Sequence, residues 1–78
     1  MKELEEIYEK LNKHFNEKKT QLLNGSVIDS YTQGRINNLS GKITNFYLTM
    51  KEALPSKETL RNFQIEASII ENEIKDLK

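Results

Sequence analysis

Residues 26–54, SVIDSYTQGRINNLSGKITNFYLTMKEAL, decide how the rest of the chain is read. With residues placed about 100° apart around an axis, Ile28, Ile36, Leu39, Ile43, Phe46, Met50, Ala53 and Leu54 fall on one side. That spacing predicts a helix with one core-facing stripe. Roughly opposite lie Val27, Tyr31, Gly34, Asn38, Gly41, Asn45 and Leu48. This second stripe carries no charge, whereas an ordinary solvated helix face carries lysine and glutamate. Gly34 and Gly41 each cost about 1 kcal/mol relative to alanine in a helix interior, and both sit on that side. Small groups there let another helix come close, so the stripe belongs either under a neighbouring helix of the same chain or against a partner.

Two starts are open to this helix. Ser26-Val27-Ile28-Asp29 has the form of a capping box, which starts the helix at Val27. Ser30-Tyr31-Thr32-Gln33 offers a second start about one turn later. At the other end, Leu54-Pro55-Ser56 stops this helix and opens the next. Proline pushes the residue before it out of helical geometry, and Ser56 is a good N-cap.

On the N-terminal side, Leu4, Ile7, Tyr8, Leu11, Phe15 and Leu22 repeat the helical spacing over residues 2–23. Glutamates crowd the start of this segment and lysines its end, an order that suits the helix dipole. Asn24-Gly25 supplies a stop. On the C-terminal side, Leu60, Phe63, Ala67, Ile70, Ile74 and Leu77 are spaced as an a/d seam, predicting a helix over 57–77. Ile65 and Ile69 lie off that seam and widen the apolar surface. The fold expected is all-α: one domain over 1–78, with helices at about 2–23, 27–54 and 57–77. Very short connections imply an antiparallel three-helix bundle or helical hairpin assembly, alone or as a dimer.

Composition narrows the function by exclusion. A chain of 78 residues supports one small core, and with no cysteine it has neither disulfides nor thiolate metal sites. The 12 basic residues are balanced by 12 acidic ones, without the single-sign excess of a protein held by phosphates. The acidic opening, Met1-Lys2-Glu3-Leu4-Glu5-Glu6, precedes no apolar run, so neither a signal peptide nor a membrane span is expected, and the expected location is cytoplasmic.

Little in the chain suggests catalysis. His14-Phe15-Asn16-Glu17 sets a carboxylate three residues after the single histidine, but nothing supplies the remaining ligands of a metal site. Gly41-Lys42-Ile43-Thr44 lacks the upstream glycine and the hydroxyl of a phosphate loop. No cofactor, metal or catalytic residue is expected.

The expected function is a small non-enzymatic protein–protein interaction module, a stand-alone regulator, inhibitor or adaptor of the kind phages and mobile elements encode. Its contact residues would be Tyr31, Gly34, Asn38, Gly41, Asn45, Leu48, Ile65 and Ile69, facing another protein or a second copy. One alternative is a nucleic-acid-binding accessory protein using Lys10, Lys13, Lys18 and Lys19. The other is a homo-oligomeric scaffold or secretion chaperone.

Overall fold

The computed structural model describes residues 2–25 and 28–77. Three helices pack against one another, and no strand occurs among the described residues: α1 (Lys2–Gly25), α2 (Ser30–Glu52) and α3 (Lys57–Lys75). The molecule is a rod of 44 × 17 × 17 Å. At about 1.5 Å per residue, helices of 19 to 24 residues span roughly 28–36 Å of that length.

The ends of α2 follow local chemistry. Asp29 is the N-cap: its extended backbone lets the carboxylate accept from the Thr32 backbone N–H at 2.7 Å. The helix therefore begins at Ser30 rather than Val27, close to the later of the two starts, but its cap is Asp29 and not Ser30. The alternative cap at Ser26, and Val27 itself, lie outside the described residues. At the C-terminal end Ala53 is already extended, with ψ 140. Pro55 follows two residues on, so α2 stops at Glu52 rather than Leu54.

Leu54 is corrected as a result. The helical period put it on the core stripe, but it lies beyond the helix and is 81% exposed. Ser56 caps α3, accepting from the Thr59 N–H at 3.0 Å. That helix ends at Lys75 rather than at residue 77, and the Asp76 N–H closes the last turn onto the Asn72 carbonyl. α1 runs through Gly25, two residues past the expected end at 23.

The three apolar stripes meet in one core. Leu4, Leu11 and Phe15 come from α1, and Ile36, Leu39, Ile43, Phe46 and Met50 from α2. Ala67, Ile70, Ile74 and Leu77 complete it from the α3 seam, with Ile7, Tyr8, Leu22, Ile28, Leu60 and Phe63 packed at its margin. Phe46 and Phe63 meet edge to face, ring centroids 5.1 Å apart. Tyr47, which the helical period leaves off the core, packs its ring 4.8 Å from that of Tyr8. Lys51 sits 5.1 Å over the same Tyr47 ring.

The cap at Asp29 gives α2 a pH-dependent start. Hydrogen bonds from Thr32, the backbone N–H foremost, hold the carboxyl below the ordinary aspartate value. A depressed folded-state pKa adds stability above the unfolded value, and that contribution disappears as pH falls through the folded value. Asp29→Ala is therefore expected to lower the melting temperature by a few degrees at pH 7. The gap from the parent should close below about pH 4, as thermal circular dichroism at several pH values would show. A constant gap would mean that the carboxylate charge contributes nothing to the cap.

Candidate interaction surface

The surface of α2 follows from where its charges go. Between Ser30 and Met50 the charged side chains are Arg35 and Lys42, seven residues apart on one flank. Both turn toward α3. Lys42 Nζ reaches both carboxylate oxygens of Glu73, at 2.7 and 2.9 Å. Arg35 donates to the Asp76 carbonyl at 3.3 Å and lies 5.9 Å from the centre of the Tyr31 ring. A part-exposed pair of this kind is worth about 0–1 kcal/mol, so its effect here is mainly one of placement. With those cations turned aside, the outward face of α2 from Ser30 to Thr49 is uncharged.

Every described member of the sequence-derived stripe lies on that face. Tyr31 is 74% exposed and Leu48 57%. Gly34, Asn38, Gly41 and Asn45 are exposed between them. A Cβ added at Gly34 or Gly41 would meet nothing within 4 Å. Of the two explanations for the stripe, cover by a neighbouring helix of the same chain is thereby removed. Among the described residues, the glycines serve no close contact between helices.

Tertiary packing also relates the two patches that the sequence leaves separate. The groove between α2 and α3 is lined by Lys42, Asn45, Phe46 and Thr49 on one side and by Asn62, Phe63 and Glu66 on the other. Asn45 thus belongs both to the stripe and to the groove wall. On the opposite wall, Ile69 follows Glu66 by three residues and precedes Glu73 by four, which places it one step further around α3. Ile65 and Ile69 are each about half exposed. The stripe and the isoleucine pair flank the same groove, with the Lys42–Glu73 pair between them.

The lysines of α1 are not gathered in the same way. At about 100° per residue, Lys10 and Lys19 lie roughly 180° apart around the axis. Lys13 is exposed and Lys18 half-buried. Lys10 lines the α1/α3 groove beside Glu71. No single basic face results from these four.

His14 has a partner that the sequence does not reveal. Its Nδ1 lies 2.8 and 2.9 Å from the two carboxylate oxygens of Glu71, across the α1/α3 interface. The carboxylate beside it in sequence, Glu17, is not the one it meets. Among the described residues, no group of three or more His, Cys, Asp or Glu side chains is placed to hold a metal ion. No helix among them is long and apolar enough to cross a membrane.

The class these features define is a small all-helical bundle whose middle helix shows an uncharged, glycine-containing outer face. No protein-family model, curated protein or solved structure matches the chain.

Proposed function

We propose that the chain is a non-enzymatic protein–protein interaction module, a stand-alone cytoplasmic regulator, inhibitor or adaptor that binds through α2 and the neighbouring isoleucines. The observation that carries this reading is the outer face of α2. It spends about 2 kcal/mol of helix propensity on two glycines at which an added Cβ meets nothing within 4 Å among the described residues. Interfaces are depleted of charge at their centres and enriched in aromatic residues. This face combines that lack of charge with an exposed tyrosine at one end and a leucine at the other. Ile65 and Ile69 extend the apolar area across the groove.

We read the helix order as an antiparallel up-down-up bundle. Contacts that rise in number along α2 and fall along α3 support it, from Arg35 with Asp76 to Phe46 with Phe63. Two α1/α3 grooves support those helices running the same way: one sets Ile7 to His14 against Gln64 to Lys75, and the next sets His14 to Gln21 against Glu71 to Lys75, about the His14–Glu71 contact.

The test is capture of partners from host lysate on the parent chain and on the Gly41→Lys/Asn45→Lys variant. Both positions are exposed and helical, so the variant should keep its circular dichroism while losing at least tenfold in partner recovery. Equal recovery by parent and variant would remove the α2 face from any binding role.

A further inference from the structure

We infer that the α2 stripe pairs with the same stripe of a second copy, as an antiparallel two-helix seam about a twofold axis between Asn38 and Gly41. This rests on the reading of that stripe as a contact surface and names its occupant. The stripe residues, Tyr31, Gly34, Asn38, Gly41, Asn45 and Leu48, are spaced 3-4-3-4-3. That is the spacing of an a/d seam, and it is unchanged when the chain direction is reversed.

Side-chain size obeys the same reversal. Reading inward from both ends pairs Tyr31 with Leu48, Gly34 with Asn45, and Asn38 with Gly41. Large apolar groups therefore meet at both ends, and at each inner level an amide faces a glycine with open space above it. A twofold contact is self-complementary, because residue i of one copy meets residue j of the other and j meets i, related by rotation. A charged stripe would then face its own charges. This one has none, and of the two cations beside it Lys42 is paired with Glu73, while Arg35, 5.9 Å from the Tyr31 ring, donates to the Asp76 carbonyl of its own chain.

Size sets the expected strength. The stripe is about 26 Å long and one helix wide, well below the ~800 Å² per partner of a standard stable interface. Association in the micromolar range or weaker is expected. Ile65 and Ile69, around the corner on α3, are left available to a further partner.

The chain has no cysteine, so disulfide trapping can read the pairing directly. Purified Tyr31→Cys and Leu48→Cys chains are mixed and oxidised near 0.5 mM, beside each chain alone, with sedimentation equilibrium of the parent. The expected result is a mass that rises toward twice 9.1 kDa and a mixed 31–48 disulfide at least fivefold over either self-disulfide. Self-disulfides are disfavoured because two copies of position 31 lie about 25 Å apart in this arrangement, beyond the ~7 Å Cα limit of a disulfide. Gly41→Lys should return the parent to a monomer without loss of helicity.

A monomer at 1 mM overturns the inference, as does a dominant Tyr31→Cys self-disulfide, the mark of a parallel pair. Partner recovery that still depends on Gly41 and Asn45 would then leave the binding role of the stripe standing. Loss of both results would end both.

Discussion

Ile70→Ala is expected to leave the chain largely unfolded at 25 °C. Ile70 is fully buried, at 0% exposure, in the α3 seam that closes the core against α1 and α2. Replacing a buried isoleucine by alanine costs roughly 2–5 kcal/mol, through lost transfer energy and the cavity left behind. A domain below about 80 residues without disulfides or metals commonly has only 3–5 kcal/mol in reserve. The loss is thus comparable with the whole. Urea titration followed by circular dichroism should show a midpoint near zero denaturant, against a clear native baseline for the parent. Ile70→Val, at about 0.5–1.5 kcal/mol, should remain folded. Leu54→Ala is the control, since an 81% exposed side chain beyond the helix end should change stability by less than about 0.5 kcal/mol. Equal damage from Leu54→Ala and Ile70→Ala would contradict the assignment of the core.

The Gly34→Ala/Gly41→Ala variant is expected to be more stable than the parent and a poorer binder. Neither glycine has a positive φ, and an added Cβ at either finds nothing within 4 Å. Each methyl therefore gains helix propensity without a clash, about 1 kcal/mol per site. The sites lie about 10 Å apart along α2, far enough for their effects to add. A gain of about 2 kcal/mol corresponds to a melting temperature roughly 8–16 °C higher for a domain of this size. A partner seated on the glycines would be pushed outward by the same methyls, so its affinity should fall while stability rises. Opposite movement of the two readouts is the signature of a residue kept for contact rather than for folding. Unchanged stability would show that the helix gains nothing from alanine there, and the argument from tolerated cost would be lost.

The core was largely legible before the fold was known, for a local reason. Leu4, Leu11 and Phe15, Ile36 to Met50, and Ala67 to Leu77 recur at helical spacing, and burial follows that period. Leu54 broke the rule because period alone takes no account of the backbone. Pro55 and the extended Ala53 end the helix before Leu54 could turn inward. Tyr47 was missed for the opposite reason: its ring reaches Tyr8 from the edge of the stripe, a contact that exists only once α1 is docked.

The candidate surface divides along the same line. The order of residues along α2 was sufficient to show a stripe with two glycines and no charge, because position around one helix depends on sequence alone. It could not show that neither α1 nor α3 covers that stripe. Nor could it show that Arg35 and Lys42 are drawn aside by α3, or that Glu71 rather than Glu17 meets His14. Those facts concern pairs up to 57 positions apart in the chain, and only the packing of three helices brings them together. The sequence by itself determined which faces each helix has; the tertiary structure decided which of those faces remain open, because exposure is a property of neighbours and not of period.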